Sequence, residues 1–149
     1  MDKEALILLV EDNKMDVALT LDAFREARLD NKIQVAHNGE EALEYLFGEG
    51  DFADRNSYPL PNIILLDLKM PGIDGFEVLR RIKKTDGIKR IPVIILTSSK
   101  EEGDRAMSYD HGANSYLVKP VSFDDFLEVV KKITDYWITL NVEPPMNGK

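Results

Sequence analysis

The sequence predicts an α/β domain built on a parallel sheet with helices on both faces. Ile63-Ile64-Leu65-Leu66 is an unbroken apolar run, and runs without alternation suit a parallel strand buried on both sides. Strand-like and helical runs alternate five times along the chain, the pattern of successive β/α units. Three of the strand-like runs stop at polar residues: 6–10 at Glu11-Asp12, 63–66 at Asp67, and 92–96 at Thr97-Ser98-Ser99. In an open α/β sheet, ligand sites lie just beyond such carboxyl ends.

In chain order, the first strand covers 6–10 and a helix follows over 14–28. A strand at 33–37 leads to a helix at 39–47, which Asn38 can cap and whose positive end suits Glu40 and Glu41. The third strand, 63–67, breaks at Met70-Pro71-Gly72 and precedes a helix over 76–84. A strand at 93–96, a weaker helix near 101–111 and a weaker strand at 116–118 complete the sheet. The last helix is expected over 123–140, capped by Ser122 with Asp124 and Asp125 in its first turn. Right-handed crossovers leave few topologies open.

With 149 residues, the chain fits one domain, 1–149, with a core of about 5–140 and a tail too short to be an output domain. Segment 48–61 is rich in turn formers and longer than a usual connection, and reads as a tolerated surface insertion, with a partner-docking surface as the alternative. There is no cysteine, which removes disulfides, zinc-thiolate sites and cysteine nucleophiles. His37 and His111 are the two imidazoles, too few for a multi-histidine zinc site and a poor basis for a Ser-His-Asp hydrolase. Met1-Asp2-Lys3-Glu4 is no signal-peptide start, and no apolar stretch approaches the ~18 residues of a membrane span. A cytoplasmic protein without membrane association is expected. The formal charge of −8 disfavours binding to nucleic acid. The basic stretches 80–84 and 89–90 read as the solvated side of a helix and its exit.

If the strands are parallel and adjacent, Glu11, Asp12, Asp67, Thr97 and Lys119 converge on one rim. Clustered carboxylates raise one another's pKa values unless a cation lies among them. Mg²⁺, a hard ion that takes oxygen ligands, is the expected cation. Taken singly, each residue has a plainer reading. Asp12 reads as a helix N-cap, Lys119 as an ion-pair partner for any carboxylate, Thr97 as a strand-end cap and Tyr116 as a sheet residue. Asp67 is harder to set aside, because an acid at the buried end of an apolar strand is costly without a partner.

With these residues in this order, the chain resembles a response-regulator receiver domain of the CheY type over almost its whole length. The resemblance implies a flavodoxin-like (βα)5 fold with strand order 2-1-3-4-5. It implies that Asp67 accepts a phosphoryl group, that Asp12 and Glu11 bind Mg²⁺ with Asp67 and the backbone carbonyl of Lys69, and that Lys119 contacts the transferring oxygens. Thr97 matches the hydroxyl that moves to the new phosphoryl group, and Tyr116 the aromatic that turns inward with it. Lys119-Pro120 matches a pair whose peptide bond is cis in the family. Lys69 and Ser99, two residues after Asp67 and Thr97, flank the route of water to an acyl phosphate; Lys69 either shields that group or swings outward.

The function implied is two-component signalling: a phosphoryl group taken from a histidine kinase switches partner affinity, the only catalysis being the domain's own phosphorylation and dephosphorylation. A narrower resemblance, to the partners of phytochrome-type kinases, rests on the 48–61 loop and Asp135-Tyr136-Trp137. Two other readings compete. A haloacid-dehalogenase-type Mg²⁺ phosphohydrolase shares the strand-end aspartate but needs a second acid where Lys69 stands. A pseudo-receiver would dock without phosphate, against the intact acid set. On the last helix, Phe123, Phe126, Leu127, Val130, Ile133 and Trp137 form an apolar stripe expected to pack on the sheet, which Val129, Tyr136 and Leu140 widen beyond the roughly 100° arc that one buried face requires. The surplus suggests a contact surface, and the resemblance implies that it serves a homodimer through the face made by the fourth helix, fifth strand and fifth helix.

Overall fold

A computed structural model describes residues 6–27, 32–120 and 122–136. Five parallel strands, β1 (Leu6–Val10), β2 (Lys32–Ala36), β3 (Ile63–Leu66), β4 (Val93–Thr97) and β5 (Ser115–Val118), form one sheet in the order β2-β1-β3-β4-β5. The helices are α1 (Lys14–Glu26), α2 (Gly39–Phe47), α3 (Gly75–Lys83), α4 (Glu102–Asp110) and α5 (Phe123–Ile133). The expected flavodoxin-like topology is therefore present, with element ends shifted by one or two residues where the described chain shows them. A π-helical turn over 134–136 extends α5. Residues 137–140, including Trp137 and Leu140, lie outside the described residues.

The unbroken apolar strands divide their side chains between two cores. Leu8, Val10, Ile64, Leu66, Val93 and Ile95 face one way and pack with Ala42, Leu46, Val78 and Ile82 of α2 and α3. Ile7, Leu9, Ile63, Leu65, Ile94 and Leu96 face the other way, against Ala23 and Phe24 of α1 and Phe126, Val130 and Ile133 of α5. A two-residue strand period places alternate residues on opposite faces, so a strand covered on both sides must be apolar throughout. Val129, expected as surplus on α5, packs against this second core. Tyr136 is 53% exposed.

The register carries this alternation to the site. Val10 pairs with Leu66 and Leu66 with Ile95, so the residues following β1 and β3 emerge side by side. Thr97 pairs with Val118, which brings Lys119 to the same rim. The helix ends follow the local sequence: Asn38 and Ser122 cap α2 and α5 by accepting from Glu41 and Asp125 backbone N–H.

Two expectations need correction, at Lys119–Pro120 and at Lys83. The Lys119–Pro120 bond is trans, the isomer that even a prolyl bond prefers by about 0.5–1 kcal/mol. The insertion at 48–61 has structure of its own: Gly50–Phe52 forms a 3-10 turn, and Phe52 and Tyr58 pack their rings on Tyr45 at 5.1 and 6.1 Å. Lys83, read as solvated, is half-buried and donates to the carbonyls of Lys89 and Ile91 and to Asn114 Oδ1. Burial pushes its ammonium down to about 8.

Candidate functional site

Glu11 leaves β1 with its backbone N–H bonded to the Ala36 carbonyl at 3.0 Å, and Asp67 leaves β3 bonded likewise to Val10 at 3.1 Å. Both continue the ladder one residue past the strands, which fixes where their side chains start. Both are buried, at 3% and 7% exposure. Carboxylate oxygens of Glu11, Asp12 and Asp67 all lie within 4.8 Å of one another. Asp12 does not cap α1; Asn13 does, accepting from the Asp16 N–H at 2.9 Å. That leaves Asp12 available to the cluster.

Lys119 follows β5, its backbone N–H bonded to the Thr97 carbonyl at 2.7 Å. Its ammonium lies 2.5 Å from Glu11 Oε1, 2.8 Å from Asp16 Oδ2 and 3.8 Å from Asp67 Oδ2. Desolvation pulls its pKa down, but the bonds to Asp16 and Glu11 outweigh it, and the net shift is upward. Desolvation pushes Glu11 up to about 7 against its bond to Lys119, and the Asp67 charge adds to the rise. Asp67 Oδ1 accepts the Leu68 N–H at 2.9 Å.

Three close carboxylates with a single ammonium among them form an oxygen-rich, electron-rich cluster. Its donors fit a hard divalent cation. The turn that holds Asp67 is sterically tight. A Cβ on Gly75 would meet the Asp67 carbonyl oxygen at 2.3 Å and the Leu68 Cα at 2.6 Å, so only glycine lets α3 begin this close to the strand end.

The remaining predicted residues are placed around the cluster. Thr97, fully buried, ends β4 and accepts the Ser99 N–H on its hydroxyl at 3.3 Å. Tyr116 donates to the Ser99 carbonyl at 3.0 Å. Lys69 swings outward, its ammonium 3.2 Å from Asp104 Oδ2, and the same oxygen accepts the Ser99 hydroxyl at 2.6 Å. Asp16 and Asp104 were not anticipated from sequence. Asp16 could have been, as an acid three residues after a capping asparagine in the helix that follows Glu11-Asp12. Asp104 carries no local signal, since its partners lie on other segments.

A family model for the response regulator receiver domain matches residues 7–131. The chain belongs to that family. It is therefore a two-component response-regulator receiver. FilR2 of Methanothrix harundinacea, described as a probable methanogenesis regulatory protein, is 39% identical over 140 residues, covering 93% of this chain and 87% of FilR2. Response regulator Rcp1 of Synechocystis sp. is 39% identical over 133 residues, covering 89% and 88%. A crystal structure of Rcp1 in its Mn²⁺-bound form has a TM-score of 0.84 at 36% identity, over 95% of this receiver and 99% of that chain. The phosphorylated cyanobacterial phytochrome response regulator RcpA has a TM-score of 0.89 at 36% identity, over 96% and 100%. Among the described residues of the receiver, no helix is long and apolar enough to cross a membrane.

Proposed function

We propose that this receiver, as a single domain over 1–149 working in the cytoplasm, accepts a phosphoryl group on Asp67 from a histidine kinase in a Mg²⁺-dependent reaction. The observation that carries the reading is the cluster of Glu11, Asp12 and Asp67 within 4.8 Å beside the buried Lys119 ammonium. Glu11, Asp12, Asp67 and, by family likeness, the Lys69 backbone carbonyl would hold the cation. When bound, Mg²⁺ would neutralise the charge that gathers between the carboxylates and an incoming phosphoryl group.

The chain's own groups supply the rest. A carboxylate oxygen of Asp67 attacks phosphorus, forming the O–P bond as the P–N bond of the donor phosphohistidine breaks. The imidazole leaves with that electron pair and takes up a proton. Lys119, 3.8 Å from Asp67 Oδ2, needs a small shift to meet the transferred oxygens and favours the charge that develops there. The acyl phosphate carries a charge of about −1.5 to −2 where the free carboxylate carried a single negative charge, and places it further out on the phosphoryl oxygens. Thr97 then turns its hydroxyl from the Ser99 N–H towards that charge, and the ring of Tyr116 follows, shifting a two-state loop.

The similarity to Rcp1 and RcpA favours a phytochrome-type kinase as the donor. Pairing through the α4, β5 and α5 face is the accompanying partner proposal, since Tyr136, on the turn that extends α5, is 53% exposed and Phe123, expected against the sheet, is instead 36% exposed. Sedimentation with and without beryllofluoride tests it, and a receiver monomeric in both states at high concentration would sink it.

Intact-mass analysis after incubation with acetyl phosphate and Mg²⁺ tests the main reading. One base-labile phosphoryl group is expected on the wild type and none on Asp67→Asn. Equal labelling of both would overturn the assignment. Chelation of divalent cations should abolish the labelling.

A further inference from the structure

The Lys119 ammonium has three donors, and the structure commits two of them to Glu11 and Asp16. The Asp67 contact, at 3.8 Å, is too long for a hydrogen bond. Glu11 is a contested partner. It belongs to the three-carboxylate cluster, and one of its oxygens already accepts the Asn13 N–H. A divalent cation held there would compete with Lys119 for the other oxygen and repel the ammonium. A lysine whose side chain is 9% exposed cannot lose its carboxylate partner without a large desolvation cost.

Asp16 is built to remain. It lies outside the three-carboxylate cluster and is fixed at the third position of α1. Its N–H donates to Asn13 Oδ1 and its carbonyl accepts the buried Thr20 hydroxyl at 2.8 Å. Its side chain is 34% exposed, so its charge is tolerable in the absence of any metal. An acid at this position is also favoured by the helix dipole, but that effect needs no contact with Lys119, and the contact is 2.8 Å.

We propose that Asp16 is a positioning residue for phosphotransfer: it holds the Lys119 ammonium facing Asp67 when Glu11 is given over to the cation. The proposal rests on Asp67 being the phosphoacceptor. Asp16 touches neither phosphorus nor metal. Its role is to keep the Lys119 ammonium in place, so that it need not choose between leaving the site and displacing the cation from Glu11.

The test is a double-mutant cycle of Asp16→Asn and Lys119→Met, read by Asp67 labelling against acetyl phosphate concentration at saturating Mg²⁺. Urea unfolding confirms that each variant is folded, and calorimetry measures Mg²⁺ binding separately. Asp16→Asn is expected to lower the maximal labelling rate by about tenfold with the half-saturating donor concentration little changed, because transition-state positioning is lost and not donor binding. It should weaken Mg²⁺ binding by about threefold, since Lys119 then leans on Glu11 alone. Asp16→Glu should restore most of the rate. In the Lys119→Met background, Asp16→Asn should have no further effect on rate. An equal loss in both backgrounds, or wild-type labelling and Mg²⁺ binding by Asp16→Asn, would overturn the positioning role. Failure of the wild type itself to label would instead overturn the phosphoacceptor reading, while the Mg²⁺ comparison would still report on Asp16.

Discussion

The hydroxyl of Tyr116 is bonded to the backbone carbonyl of Ser99 at 3.0 Å, which ties β5 to the loop leaving β4 two residues after Thr97. The same Ser99 donates its N–H to the Thr97 hydroxyl. The two groups expected to move together on phosphorylation therefore meet at one residue. Thr97 cannot turn away without releasing Ser99, and Ser99 holds the ring. Tyr116→Phe keeps the ring and removes a bond with a net value of about 1 kcal/mol. The switched state should gain about fivefold in population, which raises the apparent affinity for beryllofluoride by up to that factor. Titration followed by NMR measures it, and an unchanged affinity would show that the bond does not hold the switch.

Asp104 holds Lys69 away from Asp67. Its carboxylate bonds to the Ser99 hydroxyl and pairs with Lys69, while the Asp104 side chain is 13% exposed. Asp104→Asn should free Lys69 to reach the acyl phosphate and lengthen its lifetime by about two- to fivefold, as expected for one added charge near a partly exposed reacting group. The effect should vanish in Asp104→Asn plus Lys69→Ala. A phosphate-release assay on labelled protein decides it. The Ser99 bond first, and then Lys69, hold Asp104 below its usual value of 3.8. The stabilisation from this tie is therefore present above that pH and is lost as pH falls through the lower folded value.

Two glycines should respond in opposite directions. Gly75→Ala would press a methyl onto the Asp67 backbone, and because backbone cannot rotate aside, a loss of about 1–3 kcal/mol or more is expected. Labelling of Asp67 should slow as the turn distorts. Gly103 lies inside α4 with nothing within 4 Å of an added Cβ. Gly103→Ala should stabilise by up to about 0.5 kcal/mol, the low end of the helix preference of alanine over glycine, because position 103 lies in the first turn. Urea denaturation of both variants gives the signs.

The layer structure and the acid cluster were legible because both follow from strand period and strand ends. Ile63 to Leu66 had to be buried on both faces, and once β1 and β3 are neighbours in parallel, Glu11 and Asp67 emerge together. Lys119 could be placed by the same logic one residue past β5. What could not be read were pairings between segments with no common period. Lys69 had two open directions, and Asp104, 35 positions later, selects one. Lys83 looked like part of a basic helix surface, but the carbonyls of Lys89 and Ile91 draw it inward. Asp12 and Asn13 both suit a cap by residue type, and only the fold assigns that role to Asn13.

One residue organises the 48–61 loop. Arg55 donates to the carbonyls of Tyr45 and Leu46 at the end of α2 and to that of Tyr58 in its own loop, and lies 5.9 Å over the Tyr45 ring. The carboxyl end of a helix leaves carbonyls without intrahelical donors and carries partial negative charge, so a guanidinium there meets both needs. Gly48 ends the helix in the left-handed region, at φ 68°, and its position lets the arginine lie close. Arg55→Ala should cost about 1.5–3 kcal/mol, the range for hydrogen bonds to a charged group. Because the loop enters β3 at Ile63 and Asp67 lies past the opposite end, labelling of the folded variant should stay within about twofold of wild type. Urea unfolding and acetyl phosphate labelling of Arg55→Ala check the two halves of this prediction. A stability change below about 0.5 kcal/mol, the level of an ordinary surface substitution, would show that Arg55 does not hold the loop.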